Sequence, residues 1–215
     1  MGINNHRFGA VAAAFLGLSV AIAGPANAAD VVAEWASVKP PAAPELKKVT
    51  VNPKDTALIV MDLQNNSCNA ERRPRCLDTI APVAELMKRA RAKGMPVVHS
   101  ITPSGSLEIL LKEVAPVEGE PYVKASVDKF FRTELENILK AKNVTNVILV
   151  GTAAEGAVLA TATGAAQRGM KVIIPVDGMS SADAYTEQYV ATYMTKSPGT
   201  ASAATLTRAG MIDIQ

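Results

Sequence analysis

A single aspartate, Asp62, stands at the end of a continuous apolar run and is the first candidate for chemistry. Residues 58–61 read Leu-Ile-Val-Met without polar alternation, which is typical of a strand buried on both faces of a parallel sheet. Ligands of open parallel sheets bind at the carboxyl ends of the strands, where Asp62 would lie. The carboxylate could act as a general acid or base, or it could serve only to turn the chain.

A second candidate is the small-residue segment 151–157, GTAAEGA, which would connect a buried strand to a helix. Backbone N–H groups are free at such a helix start and can hold a developing negative charge. Glu155 could also act as a base for water, although a carboxylate favoured by the positive end of the helix is the simpler interpretation. The GxGxxG spacing of a dinucleotide site is absent. The residues of this turn that we expect at a substrate are Thr152, Ala153, Glu155 and Gly156.

Two further polar residues, Gln64 and His99, lie close to predicted strand ends. Gln64 belongs to the amide-rich loop that follows Asp62 and is a candidate for substrate binding. His99 is a candidate too, but it is more simply explained as a hydrogen-bonding group at a strand end, because no second histidine or cysteine is placed to form a relay. Without a GxSxG turn, nothing supports a serine hydrolase.

The loop between Cys68 and Cys76 combines the only two cysteines with three arginines. In an oxidising compartment this pair is expected to form a disulfide, which would add about 2.5 kcal/mol of stability. A catalytic role for Cys68 is the alternative. The arginines either form a solvated surface or present guanidinium groups to a substrate carboxylate, with Arg72 and Arg75 as the candidates.

Residues 1–28 have the pattern of a secretory signal peptide, with a short basic start, an apolar segment and an Ala-Asn-Ala cleavage site at 26–28. Its removal leaves 187 residues, enough for one domain, with 21 Lys and Arg against 20 Asp and Glu. This near-neutral balance gives no reason to expect a nucleic-acid partner or, after signal cleavage, a membrane partner. We therefore expect a periplasmic or secreted protein that acts on a small molecule.

The elements that must position these residues follow an alternating pattern. Apolar runs predict strands, and three- and four-residue spacing predicts helices between them. This alternation predicts a three-layer α/β/α sandwich with a mostly parallel, Rossmann-like sheet at residues 54–215, after an extended arm at 29–53. A loop at 102–121 should carry substrate contacts. The predicted strands are 56–62, 95–101, 122–127, 144–151, 171–177 and 205–208; the predicted helices are 77–93, 107–112, 133–142, 155–168 and 184–195.

Several motifs agree, in order, with one family. They are TALIVMDLQN at 56–65, Lys124 six residues before Phe130, the segment 147–158, Thr161-Ala162 with Ala165 and Gly169, and Val176-Asp177. This series resembles the isochorismatase-like hydrolases, which include nicotinamidases and N-carbamoylsarcosine amidohydrolase. The resemblance covers about residues 55–210.

The resemblance implies a working set of an aspartate, a lysine and a cysteine, matched here by Asp62, Lys124 and Ala157. Because Ala157 has no thiol, attack by a thiolate cannot start from this position. The resemblance also implies a cis peptide between Thr152 and Ala153, a homo-oligomer and no organic cofactor. It implies no zinc, because the histidines of the metal-binding members are missing.

Isochorismatases themselves resemble this arrangement, with a glycine where the amidases have the thiol. Cleavage of a vinyl ether needs protonation of the enol carbon and attack by water, and an aspartic acid can supply the proton. We therefore expect an exported hydrolase of a small anionic molecule that works through Asp62 and Lys124. The alternative is an inactive small-molecule binding protein. A third interpretation is that Ala157 was introduced in place of a natural cysteine, although Ala154 also departs from the Thr-x-x-Cys turn.

Overall fold

A computed structural model describes residues 1–2 and 30–215, so the predicted signal peptide lies almost entirely outside the described residues. Within these residues, nine strands and four α-helices follow one another along the chain, together with short 3-10 turns and one π-helical turn at Ala154–Val158. In chain order the elements are β1 Val49–Val51, β2 Thr56–Met61, α1 Pro74–Ala92, β3 Val97–Ile101, β4 Tyr122–Lys124, α2 Leu135–Lys140, β5 Asn146–Thr152, α3 Leu159–Gln167, β6 Lys171–Pro175, β7 Met179–Ser180, α4 Ala184–Lys196, β8 Ala204–Thr207 and β9 Ile212–Ile214.

The main sheet has the strand order β4-β3-β2-β5-β6-β8, and β7 pairs with the end of β5. Every pair in this sheet is parallel. Strand β2 lies at the centre, with Met61 beside Ser100 of β3 and Gly151 of β5. The carboxyl ends of these central strands therefore meet beside Asp62.

Helices cover both faces of the sheet and form an apolar core on each. The side chains of β2 alternate between these two cores. Ile59 and Met61 pack into the core that includes residues of α2, α3 and α4. Leu58 and Val60 pack into the opposite core, which includes residues of α1. All six residues of β2 are buried, as expected for a strand covered on both sides. The predicted three-layer, mostly parallel architecture is confirmed.

A small second sheet changes the expected boundary of the N-terminal arm. Strand β1 pairs in parallel with β9, and Val51 and Ile212 are buried in the core on the α1 side. The compact unit spans residues 41–215, so the extended arm is shorter than the 29–53 predicted. A three-residue strand is too short to show a period in the sequence. In the separate unit that precedes it, Asp30 Oδ1 accepts hydrogen bonds from the N–H groups of Val32 and Ala33.

Some predicted elements differ in length or type. The loop 102–121 contains two 3-10 turns, Leu107–Ile109 and Lys112–Val114, in place of one helix at 107–112. Backbone hydrogen bonds join this loop to the chain after β2, from Asn65 to Ile109 and from Leu111 to Leu63. Helix α2 is shorter than the predicted 133–142. Across the part of the chain described here, no helix is long and apolar enough to span a membrane.

Candidate active site

Asp62 lies directly after β2 in a left-handed backbone conformation, with φ 55°. Aspartate tolerates this conformation better than most residues. The Asp62 N–H donates to the carbonyl oxygen of Ser100, and the Asp62 carbonyl oxygen accepts from Ser67 Oγ at 2.8 Å. These contacts fix the backbone of Asp62 at the carboxyl edge of the sheet.

The carboxylate of Asp62 has two buried partners. Its Oδ1 accepts from Ser100 Oγ at 2.8 Å, and its Oδ2 lies 2.6 Å from Lys129 Nζ. Lys129 is fully buried, and its Nζ also donates to the carbonyl oxygen of Ser126 at 2.6 Å. The result is a buried ion pair in which both charged groups are held by additional hydrogen bonds.

Burial has the largest effect on the ionisation of Asp62 and raises the pKa of its carboxyl. Lys129, Ser100 and Arg73 act in the opposite direction, because they favour the ionised form. The balance leaves the pKa of Asp62 above its ordinary value. A carboxyl in this environment keeps its proton to higher pH than an exposed aspartic acid, so its protonated form is more available as a general acid.

The lysine beside Asp62 is Lys129, so the prediction that Lys124 is its partner is wrong. Lys124 ends β4 with its side chain exposed, whereas its neighbour Val123 faces the core. The alternation of a strand therefore turns Lys124 away from Asp62. No pattern in the sequence identifies Lys129, since a buried lysine has no periodic signature.

Asp62 opens into a cavity of about 330 Å³ at the carboxyl edge of the sheet. The loop after β2, the start of the 102–121 loop, the segment after β4 and the turn after β5 all contribute to its wall. The lining residues are Asp62, Asn66, Ser67, Arg72, Arg73, Thr102, Pro103, Ser104, Ala125, Ser126, Val127, Thr152, Ala153, Gly156 and Ala157.

The turn after β5 contributes to the cavity wall and contains the expected cis peptide between Thr152 and Ala153. Ala157 follows in the π-helical turn and lines the cavity while almost fully buried. Its side chain at the cavity is a methyl group and offers no nucleophile. Of the other residues predicted for this turn, Thr152, Ala153 and Gly156 also line the cavity.

Glu155, the remaining residue predicted for this turn, is not among the residues that line the cavity. Its Oε2 accepts a hydrogen bond from Ser181 Oγ at 2.6 Å. This contact gives Glu155 a structural partner outside the cavity. The geometry therefore does not support Glu155 as a base for an attacking water.

His99 and Gln64 are also absent from the cavity wall. His99 is buried in β3, where its Nε2 lies 3.0 Å from Glu120 Oε2, and burial lowers the pKa of its imidazole. Gln64 is buried as well, and its Oε1 accepts from the N–H of Thr102 at 2.9 Å. Gln64 therefore holds the start of the 102–121 loop, which lines the cavity, without lining it itself.

The predicted disulfide between Cys68 and Cys76 is present. Of the arginines in its loop, Arg72 and Arg73 line the cavity, whereas Arg75 binds Glu187 through two hydrogen bonds of 2.9 and 2.6 Å. The sequence candidate Arg72 thus lies at the cavity, and Arg75 does not. Within residues 30–215, no group of three or more His, Cys, Asp or Glu side chains is arranged to hold a metal ion.

Comparison with known proteins agrees with this architecture. The isochorismatase domain family matches residues 56–208. The secreted isochorismatase effector Isc1 of Verticillium dahliae is 30% identical over 146 residues, which cover 62% of this chain and 77% of that protein.

Solved structures share the fold at low sequence identity. An isochorismatase from Pseudomonas putida KT2440 superimposes with a TM-score of 0.67 at 18% identity, covering 76% of this chain and 92% of the other. The N-carbamoylsarcosine amidase of Thermoplasma acidophilum gives a TM-score of 0.60 at 24% identity, covering 72% and 96%. The family match spans most of the chain, from the central strand β2 to the end of β8. This chain belongs to the isochorismatase family.

Proposed function

We propose that this protein is a hydrolase of a small anionic molecule that works without a cysteine nucleophile, with Asp62 as the acid. The observation that carries this proposal is the buried contact between Asp62 and Lys129 beside a cavity that Ala157 also lines. The contact holds an ionisable carboxyl at the cavity with a fixed cation behind it, which is an arrangement suited to general acid catalysis.

Cleavage of a vinyl ether suits these residues, and the relative from Verticillium dahliae has isochorismatase in its name. The reaction would start from the protonated form of Asp62, which burial favours, and not from its ion pair with Lys129. This carboxyl would transfer its proton to the enol carbon, and the resulting oxocarbenium carbon would take up a water molecule. The hemiketal would then break its bond to the ether oxygen and release an alcohol and a ketone. One water proton goes to the leaving oxygen and the other returns to Asp62, so no thiol is needed.

Lys129 would orient the acid in this scheme. Its ammonium group is fully buried, donates to both Asp62 and Ser126, and is not part of the cavity wall. It can therefore hold one carboxylate oxygen in place while the carboxyl faces the substrate. It would also stabilise the carboxylate formed after the proton has left.

The test is turnover of a mixed panel of small vinyl ethers, amides and ureides by the unmodified protein and by Asp62→Asn. We expect turnover of a vinyl ether, reduced by at least about a hundredfold in Asp62→Asn with little change in ligand affinity. Lys124→Ala is the matched control and should retain full activity, because Lys124 is exposed. Turnover that survives in Asp62→Asn would overturn the role of Asp62.

The second candidate function is a small-molecule binding protein on the same scaffold, and Ala157 is the observation that favours it. An Ala157→Cys variant separates the two. No turnover in the unmodified protein, together with amide hydrolysis in Ala157→Cys, would mean that the scaffold has lost only its nucleophile. Turnover of a vinyl ether by the unmodified protein, which has no thiol at position 157, would exclude a function limited to binding.

We also propose that the protein is exported to the periplasm or secreted. The buried disulfide and the secreted relative support this location, together with the signal pattern at residues 1–28. Fractionation of the native host is the test, and recovery of an uncleaved protein from the cytoplasm would contradict it.

Homo-oligomerisation stays a prediction, to be measured by light scattering.

A further inference from the structure

The cavity beside Asp62 carries more positive than negative charge. Arg72 and Arg73 contribute two guanidinium groups to its wall, and Asp62 is the one carboxylate among the described residues that line it. The charge of Asp62 is already matched by Lys129 behind it. A cavity with this balance attracts anions and repels cations.

The two cavity arginines retain donors for a ligand. Arg73 Nη1 donates to the carbonyl oxygen of Ser67, and Arg72 Nη1 to that of Asn66, each at a long 3.4 Å. Among the residues described, neither guanidinium forms an ion pair with a carboxylate. Arg75, in contrast, is occupied by both oxygens of Glu187. The structure thus separates three arginines that are equivalent in the sequence.

Arg73 is the better placed of the two for recognition. It is half-buried, whereas Arg72 is exposed. Burial raises the pKa of Asp62, and Arg73 is near enough to act against this effect through its charge. Arg73 and Asp62 line the same cavity, so an anion bound to Arg73 would share that cavity with the acid.

The disulfide holds the backbone of Arg73 in place. Cys68 and Cys76 are buried in the core on the α1 side and enclose the residues between them. Within this loop the Arg73 N–H donates to the carbonyl oxygen of Asn69 at 3.0 Å, and Arg73 stands directly before α1. A guanidinium on a fixed backbone loses less conformational freedom when it binds a ligand.

We propose that Arg73, fixed by the Cys68–Cys76 loop, binds a carboxylate group of the substrate, while Arg72 adds positive charge at the rim of the cavity. A planar guanidinium matches a carboxylate through two parallel hydrogen bonds. This inference rests on the proposed function in one respect, which is that the cavity beside Asp62 is the substrate site. The proposed substrate is therefore a carboxylic acid.

The test compares benzoate with benzamide, which has nearly the same shape and no charge. Both are titrated into the full-length mature protein, and binding is followed by NMR chemical-shift changes. We expect benzoate to bind at least about tenfold more tightly than benzamide. Arg73→Gln should remove this preference, and Arg73→Lys should keep only part of it, because an ammonium group lacks the guanidinium fork. Arg75→Gln, in the same loop, is the matched control and should bind benzoate normally.

Three results would overturn the inference: equal affinity for the two ligands, unchanged benzoate binding in Arg73→Gln, or no benzoate binding at millimolar concentration. The Asp62→Asn variant keeps this test separate from the catalytic one. It should still bind benzoate, since it retains Arg73 and loses only the acid. If no variant turns over any substrate while the benzoate preference holds, the catalytic proposal fails and the carboxylate site stands.

Discussion

Lys129 Nζ lies 2.6 Å from Asp62 Oδ2, and both side chains are buried at the carboxyl edge of the sheet. The two residues are 67 positions apart in the chain. Lys129 follows the edge strand β4, whereas Asp62 follows the central strand β2. The contact therefore links the segment after the edge strand to the segment after the central strand.

Loss of the lysine should destabilise the protein at neutral pH. Lys129→Met leaves the Asp62 carboxylate buried without its cation, and we expect the free energy of unfolding to fall by about 3 kcal/mol. Lys124→Met is the matched control and should change it by less than about 0.5 kcal/mol, because Lys124 is exposed. Urea denaturation of both variants at pH 7 provides the measurement. Equal losses would show that the contact with Asp62 contributes nothing specific.

The pKa of Asp62 gives a prediction with a definite sign. Burial raises this pKa above its ordinary value of 3.8, so the folded protein binds the proton more tightly than the unfolded chain. The stability that comes from Asp62 is complete below pH 3.8 and is lost as the pH rises through the raised pKa. Asp62→Asn cannot ionise, so its stability relative to the unmodified protein should increase across this window and then stay constant.

Unfolding of the two proteins in urea, measured at a series of pH values, checks this sign. A relative stability that changes in the opposite direction would mean that Lys129 outweighs burial and lowers the pKa. Removal of the cation should shift the titration further upward, because Lys129 favours the ionised carboxylate. The carboxyl ¹³C signal of Asp62 in Lys129→Met should therefore titrate at higher pH than in the unmodified protein.

The disulfide should matter for stability as well as for Arg73. Cys68→Ala/Cys76→Ala removes a link that closes a short loop, and we expect the free energy of unfolding to fall by about 2.5 kcal/mol by the chain-entropy estimate. Thermal and urea unfolding of the oxidised protein and of the double variant provide the comparison. A double variant as stable as the unmodified protein would contradict this expectation.

The glycine beside the site should tolerate no side chain. Gly151 has φ 127°, and a Cβ at this position would collide with the backbone carbonyl oxygen of Met61 in the neighbouring strand. Gly151→Ala should therefore cost at least about 3 kcal/mol, because the two central strands would have to separate. Gly169→Ala is the control, since Gly169 has φ 77° with open space around it, and should cost only about 1 kcal/mol.

Circular dichroism and urea unfolding of both glycine variants would show the difference. Similar losses at the two positions would mean that backbone conformation, and not the approach of Met61, governs the effect. The expected result would show why β5 has a glycine directly before Thr152.

The sequence by itself determined the sheet and the position of the acid. The unbroken apolar run at 58–61 can be buried only by layers on both sides, and the aspartate that ends it must lie at the carboxyl edge. The sequence also limited an intrachain disulfide to one pairing, because the chain has only two cysteines, and the structure contains that bond. These features depend on local pattern or on simple counting.

Only the tertiary structure decided which charged residues meet. Lys124 and Lys129 are close in the chain, but strand alternation exposes the first, and the loop after β4 buries the second against Asp62. Arg73 and Arg75 are separated by one residue, yet one faces the cavity and the other binds Glu187. Long charged side chains have no periodic signature, and their partners are far away in the sequence, so their roles depend on how the layers come together.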